Sequence, residues 1–176
     1  MCSVGPERIK ILWLIKGLGL GGAEALLVAH ASVADHERFD YHCAVVRDDL
    51  QDRTSDLRDL GVTVHSLGAG RAGPFGWPIR LDRLLRSLRP DVLHTHSPLP
   101  ASIARLIVRT MPVQNRPLVV HTEHNRWPSY HPVTRAMNSA THGLVDEHIA
   151  VSDEARRTVT PPRRQDRVRT IFHGID

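Results

Sequence analysis

Cysteine is nearly absent from this sequence, with only Cys2 and Cys43 among 176 residues. One lies at the amino terminus and the other inside an apolar run, so they form neither a disulfide framework nor a CxxC zinc pattern, and a reducing cytoplasmic location fits. The chain also lacks a run of about 18 consecutive apolar residues, so we expect no membrane-spanning helix. Because Lys10 and Lys16 interrupt the first apolar stretch, we expect no secretory signal peptide.

Lysine and aromatic residues are scarce as well. Lys10 and Lys16 are the only lysines, so the formal net charge of +4 rests almost entirely on arginine. Arginine forms paired hydrogen bonds to phosphates and carboxylates, so one interpretation is an anionic partner or an anionic membrane surface, and the other is a solvated, arginine-rich surface. Aromatic residues make up 5% and no nucleic-acid-binding motif accompanies the charge, so we expect no nucleic-acid partner.

The residues that are present have the balance of a soluble globular domain, with 41% hydrophobic and 24% charged. This balance excludes a disordered chain, a collagen-like repeat and a coiled coil. Since domains have about 100–200 residues each, we expect residues 1–176 to form a single domain.

Short apolar runs alternate with longer segments that favour helix. The predicted strands are 9–15, 41–46, 62–67, 91–94, 118–121, 147–151 and 168–172. The predicted helices are 23–34, 51–60, 78–89, 101–111 and 132–140, with a last one from 153. Gly61 is a plausible stop for the second helix and Ser152 an N-cap for the last. This alternation predicts an α/β fold with a doubly wound, mostly parallel sheet, in which ligands bind beyond the carboxyl ends of the strands.

A glycine-rich loop follows the first predicted strand. Its sequence GLGLGG, from Gly17 to Gly22, satisfies GxGxxG and precedes a helix whose N-terminal N–H groups favour an anion such as a phosphate. Glu24, in the first helical turn, would repel a pyrophosphate while favouring the helix dipole. Despite this repulsion, we interpret Gly21, Gly22 and Glu24 as binding residues because of their place at the helix N-terminus. For Gly17 and Gly19, the alternative that they only form a tight turn remains open.

Histidines gather where the fourth and fifth predicted strands end. The segment DVLHTH contains His94 and His96, and the segment VHTEH contains His121 and His124. Imidazole can act as a base, a hydrogen-bond donor to phosphate or a metal ligand. Neither HExxH nor HxxEH spacing is present and no cysteine assists, so we favour substrate contact and expect no metal. We expect His96 and His124 to be the working residues, and His94, deeper in the sheet, to be structural.

Four segments in order are similar to a known family: GLGGAE at 19–24, DVLHTH at 91–96, AVSDEA at 150–155 and VRTIFHGID at 168–176. Together they resemble the N-terminal domain of GT-B glycosyltransferases of the retaining family 4, and the resemblance covers essentially the whole chain. It implies two Rossmann-like domains facing a cleft. The N-terminal half binds the acceptor, and the C-terminal half binds most of the nucleotide-sugar donor.

The resemblance also implies roles for particular residues. His96 is the candidate catalytic residue, beside the transferred sugar, with a positioning or proton-relay role. Gly21 and Gly22 would approach the donor diphosphate or the acceptor, and His173 with Gly174 would mark the passage to the second domain. The candidate substrate-binding residues are Gly21, Gly22, Glu24, His124, Ser152, His173 and Gly174.

Half of the implied active site is missing from the sequence. The family's Glu-x7-Glu element and its basic donor-phosphate residues belong to the C-terminal domain, and the sequence stops at Asp176. We therefore expect a part of a longer protein or a split gene product, with negligible transferase activity alone. Joined to its C-terminal domain, it would be a retaining hexosyltransferase that moves a sugar from a nucleotide sugar to a sugar or lipid-linked acceptor, with no further cofactor.

Three alternatives remain open at this point. A nicotinamide-dependent oxidoreductase would use the same glycine loop with Asp48 on the ribose, and a non-catalytic binding module would only capture a partner. The third concerns the helix at 78–89, which has leucines on one face and arginines around the rest, so it either contacts an anionic membrane peripherally or packs its leucines in the core. These residues are Leu81, Leu84, Leu85 and Leu88, and Arg80, Arg83, Arg86 and Arg89.

Overall fold

The computed structural model describes residues 8–69, 75–160 and 162–172. The described residues form seven strands and six α-helices. The strands are β1 (Ile9–Ile15), β2 (Phe39–Val45), β3 (Thr63–Ser66), β4 (Val92–Thr95), β5 (Leu118–Glu123), β6 (Glu147–Ala150) and β7 (Val168–Thr170). The helices are α1 (Gly22–Ser32), α2 (Thr54–Asp59), α3 (Trp77–Leu88), α4 (Pro98–Thr110), α5 (Pro132–Thr141) and α6 (Asp153–Arg157).

All seven strands run parallel in one sheet with the order β3-β2-β1-β4-β5-β6-β7. The order reverses direction between β1 and β4, which is the point where ligands bind in open α/β sheets. In register, Trp13 of β1 lies between Cys43 of β2 and His94 of β4. The prediction of a doubly wound parallel sheet is confirmed.

Two cores cover the faces of this sheet. On one face, Leu12 and Leu14 pack with helices α3 and α4, and on the other, Trp13 and Ile15 pack with α1 and α2. This opposition follows from the period of two along a strand. Within the described part of the chain, no helix is both long and apolar enough to cross a membrane.

The leucine face of α3 belongs to the first core. Leu81 and Leu85 are fully buried, and Leu84 and Leu88 pack against them. Of the two interpretations of this helix, core packing of the leucines is therefore the correct one, and these side chains are not available to a membrane.

One strand end differs from the predicted one because pairing extends the strand, and one predicted helix cap is present. Strand β5 continues to Glu123 instead of ending at His121, because Glu123 pairs with Ala150 of β6. The predicted N-cap of the last helix is confirmed, since the Ser152 hydroxyl oxygen accepts from the backbone N–H of Ala155 at 3.1 Å.

The predicted helix stop at Gly61 is confirmed by its left-handed backbone, with φ of 82°. Replacing Gly61 by alanine places a Cβ in this conformation, so we expect the free energy of unfolding to fall by about 1 kcal/mol in urea denaturation. The matched control is Gly143→Ala, because an added Cβ there meets no atom within 4 Å and the residue has no positive φ. Equal loss in both variants would contradict this account.

Candidate functional site

An open cleft of about 950 Å³ lies at the carboxyl ends of the strands. The loop after β1 supplies one side, and the segments after β4 and β5 supply the other. Of the predicted site residues, the cleft lining contains Gly21, Gly22, Glu24, His96 and His124. Ser152 is outside the lining, and its hydroxyl caps α6. The predicted residues His173 and Gly174 lie outside the residues that the structure describes.

The glycines of the loop after β1 have different surroundings. A Cβ on Gly17 would lie 2.9 Å from Leu50 Cβ, so close packing requires glycine there. At Gly22 an added Cβ would meet nothing within 4 Å, and at Gly21 it would clash with the Glu24 carboxylate. Packing therefore accounts for Gly17, whereas Gly21 and Gly22 lie in the cleft at the start of α1, with the Glu24 carboxylate beside Gly21.

His96 and His124 form a direct pair in the cleft. His96 Nδ1 lies 3.1 Å from His124 Nε2, so one ring donates and the other accepts. Burial, reinforced by neighbouring histidines such as His94, holds the pKa of His96 well below its usual value, so the ring is neutral at pH 7. The His96 Nε2 atom is buried and has no hydrogen-bond partner among the described residues.

His94 stands behind this pair. Its Nε2 lies 2.8 Å from Thr122 Oγ1, and its ring centroid is 4.2 Å from that of His96. Burial lowers the pKa of His94 to about 3. His94 lies within β4 and His96 follows the strand, as expected, although His96, at 8% exposure, is the less exposed of the two.

A buried carboxylate behind the cleft wall was missed at the sequence level. Glu123 is 0% exposed, and its Oε1 accepts from Trp127 Nε1 at 2.9 Å and from Asn138 Nδ2 at 2.8 Å. Its Oε2 accepts from the Tyr130 hydroxyl at 2.9 Å. The available signal was alternation, because Glu123 shares the inward face with His121.

A buried cation completes this network. Arg105 of α4 is 0% exposed and donates from one NH group to Asn138 Oδ1 at 2.7 Å and to Thr141 Oγ1 at 3.2 Å. Burial lowers the pKa of Arg105 to about 10, while the charge of Glu123 opposes this, so the guanidinium stays protonated at neutral pH. The two buried charges compensate each other across α4, α5 and the end of β5.

His121 and His148 lie close enough to Glu123 for the three side chains to form a candidate metal site. His121 Nε2 and His148 Nε2 lie 3.3 and 3.5 Å from Glu123 Oε1, and the three groups lie within 4.8 Å of one another. However, Oε1 already accepts two N–H hydrogen bonds, and Arg105 adds positive charge nearby. These hydrogen bonds satisfy the carboxylate, whereas His121 Nε2 and both ring nitrogens of His148 are buried without a hydrogen-bond partner among the described residues.

The pKa values of this cluster follow from its enclosure. Burial alone would raise the pKa of Glu123, but the adjacent imidazoles of His121 and His148 outweigh it and hold this pKa well below its usual range. Burial, followed by the charge of Arg105, lowers the pKa of His121 to about 3.

Comparison with known proteins assigns the family. Residues 20–176 match the family model described as Glycosyltransferase Family 4. The chain belongs to this family. The capsular polysaccharide biosynthesis glycosyltransferase CapH of Staphylococcus aureus is 22% identical over 176 residues, which cover 96% of this chain and 48% of CapH.

Solved structures agree on the fold. HepE of Anabaena, solved in complex with UDP, superposes with a TM-score of 0.69 at 16% identity, covering 97% of this chain and 45% of HepE. The lipopolysaccharide outer core galactosyltransferase WaaB, in its apo form, gives a TM-score of 0.69 at 12% identity, covering 96% of this chain and 46% of WaaB. At these identities the likeness establishes the fold alone, a Rossmann-like domain with the architecture of a GT-B N-terminal half.

The family 4 chain spans about half the length of the relatives that it matches. Its cleft is lined by the His96–His124 pair, the glycine loop after β1 and the N-terminus of α1. Such groups can accept or donate single protons and hydrogen bonds, and the N–H groups at the start of α1 can face an anion.

Neutral, enclosed histidines make this family 4 domain sensitive to acid. The unfolded chain binds protons below a pKa of about 6.5, whereas His121 resists protonation in the folded state until a pKa of about 3. Stability therefore falls as pH falls below about 6.5, by about 2 kcal/mol at pH 5 for a histidine as enclosed as His121.

Urea denaturation at pH 7 and pH 5, at fixed ionic strength, measures this loss. Carboxylates contribute little in that window because their unfolded pKa values lie near 4. Equal free energies of unfolding at the two pH values would show that the histidines take up protons without unfolding.

Proposed function

We propose that this domain is the acceptor-binding half of a retaining hexosyltransferase. The complete enzyme moves a sugar from a nucleotide sugar to a sugar or lipid-linked acceptor. The observation that carries the proposal is the neutral His96 in the cleft of a family 4 domain, with a buried Nε2 that has no partner among the described residues. The nucleotide sugar is the donor substrate, and the reaction as proposed includes no separate cofactor.

The chemistry of the cleft fits positioning better than strong base catalysis. A neutral imidazole can hold a sugar hydroxyl or relay one proton, which is the role that we assign to His96. The negative charge of the leaving diphosphate is then stabilised by backbone N–H groups near Gly21 and Gly22 and by cations of the other half. Glu24 restricts how closely an anion approaches this loop.

The other half is the proposed partner. Support comes from the coverage of about half of each relative and from an open face of the sheet. On the side where α1 covers β1 and β2, strand β5 and the residues after β7 expose Leu118 (61%), Ile171 (49%) and Phe172 (68%). Parallel sheets are normally buried on both faces, so further polypeptide is expected to cover this side.

The oxidoreductase alternative gains no support from the described residues. In this alternative, Asp48 would contact the ribose of the cofactor. However, Asp48 lines a separate recess with Gln51 and Arg58. Its neighbour Asp49 is the residue in the cleft lining, where it pairs with Arg47.

Transfer assays test the function. We expect the 176-residue chain alone to show no sugar transfer above background, and a longer polypeptide that joins it to a donor-binding half to be active. In that active polypeptide, His96→Ala is expected to lower kcat about a hundredfold, because the group that positions the sugar hydroxyl is lost.

The matched control is His65→Ala, a half-buried histidine of β3 outside the cleft lining. It should leave kcat within a factor of about two. Robust transfer by the isolated chain would contradict the proposed division of labour, and wild-type kcat in His96→Ala would remove the assigned role of His96.

We extend the proposal to a cytoplasmic location at the inner face of a membrane. With the leucines of α3 in the core, the support lies on its outward side, where Ile79 (59%) is exposed beside Arg83 and Arg86, the latter paired with Asp82. Phe75, just before the helix, is 89% exposed. Apolar side chains flanked by arginines suit the headgroup region of anionic lipids.

Vesicle sedimentation measures this contact. The wild-type chain should sediment with vesicles of anionic lipid more than with neutral ones, and Ile79→Glu should lower the bound fraction several-fold. Val113→Glu is the control, since Val113 is 74% exposed and lies in the turn after α4. No preference for anionic lipid would contradict the membrane contact.

A further inference from the structure

Tyr130 brings a phenol hydroxyl into the cleft wall formed after β5. It lines the cleft, and the side chain is partly buried. The segment that carries it is anchored by Trp127, which is 0% exposed and whose backbone N–H donates to Thr158 Oγ1 at 3.0 Å. The phenol therefore occupies a fixed place in the wall.

The single proton of this hydroxyl is directed away from the cleft. It is donated to Glu123 Oε2 at 2.9 Å, with the Asn125 carbonyl oxygen also near at 3.3 Å. Burial, and then the charge of Glu123, raises the pKa of Tyr130, so the proton stays on the phenol. A phenol has one donor, so its oxygen can only accept from a further partner.

The carboxylate that takes this proton is itself held in one orientation. Its other oxygen, Glu123 Oε1, accepts from Trp127 and from Asn138, and Asn138 in turn accepts from Arg105. Rotation of the carboxylate would leave these buried donors unpaired, which is costly in the interior. Helices α4 and α5 thus fix the direction of the Tyr130 hydroxyl proton.

The cleft is divided chemically. Its charged side chains, Lys16 and Arg47 with Glu24 and Asp49, lie on the side of β1 and β2, where Asp49 pairs with Arg47. In contrast, Asn125, Ser129 and Thr134 around Tyr130 are uncharged. Phosphate oxygens are strong acceptors, so among these groups they suit Lys16 and Arg47. The side with Tyr130 lacks a phenolic proton for such a group.

From this geometry we propose that Glu123 is a positioning residue that makes the Tyr130 oxygen a hydrogen-bond acceptor, so that this wall binds a hydroxyl of the acceptor sugar and disfavours phosphate. The proposal rests on the proposed function only in placing an acceptor sugar in the cleft. Glu123 itself is 0% exposed and acts through Tyr130.

The variant Glu123→Gln reverses the direction of the hydrogen bond between Tyr130 and residue 123. The amide oxygen is needed where Trp127 and Asn138 donate, so the NH2 group faces Tyr130 and donates to it. The phenol then has its own proton free to point into the cleft. We expect the wall to gain affinity for phosphate and to lose affinity for sugar hydroxyls.

Tyrosine labelled with ¹³C at the ring carbon that bears the hydroxyl gives a direct readout in the full chain. Only Tyr41 and Tyr130 are present, and Tyr41 is a buried internal reference at 4% exposure. In the wild type, methyl α-glucoside should shift the Tyr130 signal and inorganic pyrophosphate should not. In Glu123→Gln, the free signal of Tyr130 should move, the glucoside should bind about tenfold more weakly, and pyrophosphate should now shift the signal.

Glu154→Gln is the matched control, because that carboxylate is exposed and pairs with Arg126 at the surface. It should reproduce the wild-type responses. If Glu123→Gln does not fold, as judged by circular dichroism, Tyr130→Phe replaces it. The glucoside should then no longer shift the backbone amide signals of Asn125 and Thr134, which it shifts in the wild type.

Two results would overturn the inference: an unmoved Tyr130 signal in folded Glu123→Gln, or a wild-type response to pyrophosphate as strong as that to the glucoside. Retained amide shifts in Tyr130→Phe would do the same. Absence of sugar transfer in the joined polypeptide would instead refute the proposed function and leave the coupling of Glu123 to Tyr130 measurable.

Discussion

The parallel pairing of β4 with β1 on one side and with β5 on the other is the constraint from which the site follows. It aligns Trp13, His94 and Val120 in one row across the sheet. The residues that follow the two strands must then emerge at the same edge. The contact between His96 and His124 is a direct consequence, although 28 positions separate them in the chain.

Polar groups behind that edge are stabilised by mutual compensation. A single buried carboxylate or guanidinium would be strongly destabilising, and Glu123 and Arg105 avoid this through Asn138, which accepts from one and donates to the other. The amide has a carbonyl oxygen on one side and an NH2 group on the other, so this one side chain connects both charges. Rigidity of the cleft wall follows, because α4, α5 and β5 are joined by hydrogen bonds that water does not reach.

Much of the fold could be predicted from the sequence, because each strand had its own local signal. The apolar run at Ile9–Ile15 gave β1 with its observed bounds, and Gly61 marked the end of α2 through a conformation that glycine alone adopts easily. Polar residues inside the sheet carry no such signal. Thr122 and Glu123 look like the start of a loop, yet both are buried in β5 because β6 pairs alongside.

The candidate site was only partly accessible to sequence reasoning, for a physical reason. Histidines after β4 and β5 could be predicted to meet, since strand ends in a parallel sheet share one edge. The hydroxyl of Ser152 could be assigned to a helix cap as well as to a cleft, and the structure uses it as the cap. The partners of Glu123 lie on helices, and helix packing angles and the depth of a side chain are not encoded in any short motif.

Because the buried Glu123 sets the direction of the Tyr130 proton, substitutions at exposed and at buried positions of the cleft wall have different effects. Substitutions at exposed positions such as Asn125 or Ser129 can alter the shape of the wall while the Tyr130 proton keeps its direction. The direction itself changes only if the buried carboxylate changes, and that also disturbs Trp127 and Asn138. The hydrogen-bond character of this wall is therefore coupled to stability, whereas its fit to a particular sugar is not, so the two properties can vary independently in this fold.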